Sequence, residues 1–173
     1  MIAVQAGELP PGSLLAKYKH GSGYADCYRC VVAGSVSHAE FVEAFYTTGL
    51  FKVERSILNW FAGRPSSDLD AQLLAAGNAA TFAAWRVEAR ADDQLLLADF
   101  TGRTRSWLMV EHSVAGAAGA STRLYFGSAV VPRAGGSRAR PRMGAVFHAL
   151  LGFHRLYSRL LLRAARSRLL RRR

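Results

Sequence analysis

The chain changes its hydrophobic period once, and that change limits its fold more than any other feature. Between residues 83 and 131 apolar side chains tend to recur at every second position, in four segments parted by turn-forming residues. From Met143 to about Leu170 they recur at helical spacing. A period of two sets side chains on alternate faces of a strand, whereas a period near 3.6 sets them along one side of a helix. Four successive strands with short links predict an antiparallel meander. A terminal helix of about 27 residues would span roughly 40 Å, enough to cross such a sheet and project past it.

The four segments can be followed residue by residue. Residues 83–90 set Trp85, Val87 and Ala89 on one face against Arg86, Glu88 and Arg90 on the other. Asp92 and Asp93 turn the chain into QLLLADF, Gly102 separates that run from TRSWLMVEH, and the glycine-rich AGAAGA leads to STRLYFGSAVV, which Pro132 closes. Upstream, the β-rich run YADCYRCVV at 24–32 predicts a first strand. Ser37 with Glu40 three residues on has the spacing of a capping box, so a helix runs from His38 to about Thr47 with Phe41, Ala44 and Phe45 inward. Val53, Ile57, Leu58, Trp60 and Phe61 predict a second helix ending near Gly63 and Pro65. Asp68 or Asp70 would cap a third, brief helix that passes Leu73 and Leu74 and stops at Gly77.

These elements predict an α+β fold, a curved antiparallel sheet wrapped around a long C-terminal helix, with two short helices after the first strand. Residues 1–23, with Pro10, Pro11 and an HGSG tip, form an irregular lead-in. Residues 24–165 form the domain, RAGGSRARPR at 133–142 is a flexible cationic loop within it, and 166–173 are an arginine-rich tail. At 173 residues, half of them hydrophobic, the chain is long enough for one self-sufficient core.

Charge is unevenly placed. Residues 1–132 hold eleven Lys/Arg and all twelve Asp/Glu, while 133–173 hold twelve arginines and no acid. Such an end suits an anionic partner, membrane phospholipid or nucleic acid, although a solvated charged face explains it equally. The opening MIAVQAGELPPGSLL has no cationic region followed by an apolar run, and no stretch approaches a spanning helix, so the expected location is cytoplasmic, with a peripheral position at the membrane as its variant.

Motifs for particular chemistries are missing or incomplete. Cys27 and Cys30 have the spacing of a redox pair, but in a strand an odd spacing sends them to opposite faces, and no second pair completes a zinc site. His20, His38, His112, His148 and His154 include no two at the three- or four-residue spacing that lets a helix chelate one ion. GSGYAD at Gly21 lacks the third glycine of a dinucleotide fingerprint, and there is no Gly-x-Ser-x-Gly elbow. Glu111 and His112 are an acid beside a base, yet Glu111 fits a solvated strand end as well. No cofactor and no metal are expected, and no catalytic motif is identified.

The order of strand, paired helices, meander and long helix resembles the helix-grip fold of the START-like or polyketide-cyclase-like superfamily. YADCYRC, SWLMVEHS, TRLYFGSAVVP and FHALLGFHRLYSRLLLRAA, spread over residues 24–165, are more closely similar to a bacterial family of unassigned function in or near that superfamily. The resemblance implies a cavity between the concave sheet and the last helix that holds an apolar small molecule, lipid or polyketide. Some members of the superfamily catalyse cyclisation or hydrolysis and many only bind; no catalytic pattern matches here, so no catalytic residue is carried over. Trp85, Trp107, Met109, Leu124 and Phe126 on the strands, with Phe147, Leu151 and His154 on the helix, either fill the core or wall that cavity. Arg155, Arg159, Arg163 and Arg166 follow a second side of the helix and are the candidate anion-binding residues. The expected function is noncatalytic binding of an apolar small molecule or lipid. The alternatives are a cyclase- or hydrolase-type enzyme using a polar residue such as His154, and association with a membrane or, less favoured, nucleic acid through the basic helix.

Overall fold

The computed structural model describes residues 4–19, 24–63, 65–116, 119–131 and 145–172, and for 57–62, 114–116 and 145–153 the backbone alone. The expected tip at 20–23 and the cationic loop at 133–142 lie outside these residues. The chain runs β1 (Gln5–Ala6), a 3-10 turn (Ala16–Tyr18), β2 (Tyr24–Ala33), α1 (His38–Tyr46), α2 (Gly49–Ala62) and α3 (Asp68–Ala75). It continues with β3 (Thr81–Phe82), β4 (Trp85–Ala91), β5 (Gln94–Asp99), β6 (Thr104–Gly116), β7 (Gly119–Val130) and the 27-residue α4 (Ala145–Arg171). The strands form one antiparallel sheet in the order β1-β2-β7-β6-β5-β4-β3. With α4 packed on β2, β7 and α1, this is the helix-grip arrangement.

Local chemistry sets the helix starts. The Ser37 hydroxyl accepts from the Glu40 N–H at 3.2 Å while the Glu40 carboxylate accepts from the Ser37 N–H at 2.7 Å, so the expected capping box forms. At α3 the cap is Ser67, not Asp68 or Asp70. Ser67 and Asp70 make a second reciprocal box, and Asp68, one residue inside, pairs instead with Lys52 and Arg55 of α2. Val53 is exposed rather than inward, and the side chains of Ile57, Leu58, Trp60 and Phe61 lie outside the described residues.

Both faces of the sheet are covered. The inner face carries the main core, in which Tyr28, Cys30, Val32, Leu95, Leu97, Leu108, Val110, Leu124 and Phe126 meet α1, α3 and α4. The outer face carries a second cluster of Leu15, Cys27, Leu96, Trp107, Met109, Tyr125 and Ala129, onto which Leu9, Leu14 and Tyr18 of the lead-in pack. The Trp107 indole N–H donates to Gln94 Oε1 at 2.9 Å, and the same oxygen accepts from the Leu14 N–H at 2.9 Å, tying the lead-in down. Opposite Trp107 stands Gly127, where a Cβ would come within 2.9 Å of the indole and 2.8 Å of both the Asp26 carbonyl and Leu15.

The simple alternation expected along 83–90 does not hold. The β4–β5 register shifts between Val87 and Ala89, so Glu88 is a bulged residue. Trp85 and Val87 face the main core, but Ala89 joins the outer cluster. Glu88 turns outward with it, where Lys17 pairs at 2.7 Å, Arg105 at 2.5 Å, and Tyr18 donates a hydrogen bond. Arg90 returns to the inner side and donates to the Leu74 carbonyl at 2.6 Å, closing the end of α3.

Candidate functional site

One end of the inner face stays unfilled. Between α1, α2, α4 and the strands lies a cavity of about 250 Å³. Phe45 of α1, Phe51 of α2, Phe126 of β7 and Leu161 of α4 form much of its apolar wall, and Trp85 of β4 adds an indole. His154 and Val130 also line it, and their partial exposure places them near its mouth. On α4 the lining residues His154, Tyr157, Ser158 and Leu161 stand three, four and seven apart, which stacks them along one side of a helix. From the sheet come Ser106 and Ser128, directly opposite one another on β6 and β7.

The polar groups fall into three sets. In the first, Tyr157 donates its hydroxyl to the Glu54 carboxyl. Burial pushes the Glu54 carboxyl above the usual carboxylate range, with the Tyr157 hydrogen bond drawing it partly back, and burial raises the Tyr157 phenol as well. In the second, Tyr46 and Ser106 share a hydrogen bond of 3.1 Å, and burial raises the Tyr46 phenol. In the third, the Ser128 hydroxyl lies 2.6 Å from both Asp26 Oδ1 and His154 Nε2. A carboxylate only accepts, so the serine proton goes to Asp26 and the serine oxygen accepts from His154. That order places a proton on His154 Nε2, which also lies 3.7 Å from Asp26 Oδ2. A nucleophilic serine would instead give its proton to the imidazole, so this is not an acyl-transfer triad.

Two buried polar atoms on cavity-lining residues have no hydrogen-bond partner among the described residues: the Ser158 hydroxyl, on a residue with 0% exposure, and the Trp85 indole N–H.

The residues named from the sequence separate cleanly. Trp85, Phe126 and His154 meet at the cavity. Leu124 is buried in the main core one inward position further along β7 and is not among the lining residues. Trp107 and Met109 are on the outer face, against the expectation that they wall the cavity, because β6 turns Ser106 and Leu108 inward and its alternate residues outward. Phe147 and Leu151 lie in the first turns of α4, where side chains are outside the described residues. Phe45, Phe51, Glu54, Ser106, Ser128, Tyr157 and Ser158 were not foreseen as site residues. The helical spacing from His154 was enough to find Tyr157 and Ser158; nothing local marks the others, which tertiary packing brings in.

The arginine side of α4 runs in step with β2. Arg155 donates to the Tyr24 hydroxyl at 3.1 Å, Arg159 sits 5.5 Å over the Tyr28 ring, and Arg166 donates to the Val31 carbonyl at 3.0 Å. Arg163 is exposed. Nearer the end of the helix, Arg172 pairs with Glu43 at 2.8 Å, and Leu169 is buried in the main core.

Other candidates resolve into structural roles. Cys27 and Cys30 are free thiols in separate clusters on opposite faces, and burial pushes each up to about 12, far from a reactive thiolate. Glu111 accepts from Tyr125 at 2.6 Å and Arg123 at 2.7 Å, which hold its carboxyl below the usual range, whereas His112 points the other way toward Thr122. Among the described residues no group of three His, Cys, Asp or Glu is placed to hold a metal ion, and no helix is long and apolar enough to cross a membrane. In comparisons with known proteins, no family model matches the chain and no curated sequence is significantly similar to it, so the likeness that stands is to the helix-grip fold as a whole.

Proposed function

We propose that the domain binds one compact, largely apolar small molecule in the cavity between the sheet and α4. The observation that carries this reading is a cavity walled by aromatic and aliphatic side chains, with a few polar groups converging on it, as small-molecule sites generally are. Its volume of about 250 Å³ lies just under the usual range of roughly 300–1,000 Å³, which favours a compact molecule over a two-chain lipid. Native mass spectrometry of the protein purified without denaturation is expected to show a stoichiometric low-mass adduct that denaturation releases. A bare protein that compact aromatic compounds also fail to stabilise against heat would overturn the proposal.

A second reading rests on His154 and Glu54, which line the same cavity. His154 brings an imidazole and Glu54 a carboxyl that burial raises above the usual carboxylate range, two groups of the kinds that acid–base enzymes pair. In that case the domain is a cyclase-, hydrolase- or isomerase-type catalyst. Once a turned-over compound is identified from the adduct, His154→Gln should lower kcat by about a hundredfold or more, and unchanged turnover would remove this reading.

A further inference from the structure

The two unpartnered donors narrow the ligand's chemistry, on the footing that the cavity is a binding site. An indole N–H can only donate, and Trp85 Nε1 is buried beside the cavity with no acceptor among the described residues. A serine within a helix ordinarily returns its proton to the carbonyl four residues back. Ser158 does not: its hydroxyl is without a partner on a side chain that is fully buried. A buried donor left unsatisfied is costly, and here two such donors belong to residues that line one cavity from different elements, β4 and α4.

Charge narrows it further. The guanidinium of Arg105, whose residue lines the cavity, is committed to Glu88, to the Tyr18 hydroxyl at 3.0 Å and to the Gly102 carbonyl at 2.8 Å. His154 Nε2 is engaged by Ser128, and Glu54 brings a carboxyl to the same space. An anionic ligand would thus meet an acid and no uncommitted cation among the described lining residues, whereas a neutral oxygen acceptor meets donors.

We infer that the cavity recognises a neutral molecule through a carbonyl-type oxygen, of the ketone, aldehyde, ester or amide class, with Trp85 Nε1 and Ser158 Oγ as the recognising donors. The apolar remainder of the ligand rests against Phe45, Phe51 and Phe126.

Calorimetric titration with 1-indanone and with indane, which share a ring frame and differ by the carbonyl, tests this directly. The wild-type protein should prefer 1-indanone by about tenfold or more. Trp85→Phe should reduce that preference to about two- or threefold while leaving the affinity for indane within about twofold, and Ser158→Ala should act in the same direction. Equal affinity for the two compounds would overturn the carbonyl assignment and leave the cavity reading intact, with water as the partner of both donors. A loss of affinity for both compounds together in Trp85→Phe and in Ser158→Ala would also overturn it, since packing would then be the role of both residues. Binding of neither compound by the wild-type protein would count against the binding cavity itself and, with it, the carbonyl inference.

Discussion

Several residues are set by neighbours far away in sequence. Gly127 shows this for space, since any side chain there would collide with Trp107, Leu15 and the β2 backbone together. His38 shows it for charge. It opens α1 but is buried beside the Leu108 backbone, with Arg90 and Asp93 nearby, and burial lowers its imidazole to about 4. An unfolded histidine takes up its proton near pH 6.5, so the folded state binds fewer protons between that value and about 4. Stability carried by the neutral ring is therefore whole above pH 6.5 and is lost as pH falls, by about 3 kcal/mol in all. Urea unfolding of wild type and His38→Gln at pH 7.5 and pH 4.5 should show the wild type losing more stability by a few kcal/mol; parallel losses would mean the ring is not held neutral.

At the level of elements, α4 has three jobs on three sides. Leu161, Leu162, Ala165 and Leu169 complete the core, the stripe from His154 to Leu161 closes the cavity, and the arginines reach across β2. Arg155, Arg159 and Arg166 lean on Tyr24, Tyr28 and Val31, neutral partners that position the guanidinium groups without cancelling their charge, while Arg163 and Arg171 stand exposed further along the helix. We propose these two as the contacts for an anionic membrane surface. Truncating the tail would remove the buried Leu169 as well as charge, so the cleaner variant is Arg163→Gln with Arg171→Gln. Its binding to vesicles containing phosphatidylserine should fall about thirtyfold relative to wild type, from roughly 1 kcal/mol for each of the two basic residues at such a surface. Unchanged vesicle binding would assign both residues to solvation, and a comparable loss on a short DNA duplex without any on vesicles would move the partner to nucleic acid.

For the molecule as a whole, the ordering of elements was legible because each rests on short-range physics. The Ser37 box, the stop at Gly77 with its φ of +83°, and the period change before α4 act within a few residues, and they predict helices and strands close to those that form. The sequence by itself therefore determined the order of the longer elements, the antiparallel meander, the long terminal helix and the separation of Cys27 from Cys30, but not the two-residue edge strands β1, inside the expected irregular lead-in, and β3, which exist only by pairing with β2 and β4. What it left open was decided by tertiary structure. Where a sheet is covered on both sides, a run such as QLLLADF or SWLMV is apolar at nearly every position, so alternation no longer distinguishes the faces. Packing of the lead-in made Trp107 and Met109 outer residues, and the bulge at Glu88 split Trp85 from Ala89. The cavity was decided last and at longest range, because Phe45, Glu54, Trp85, Ser128 and Ser158 come together only when helices and strands from distant parts of the chain close around the same space.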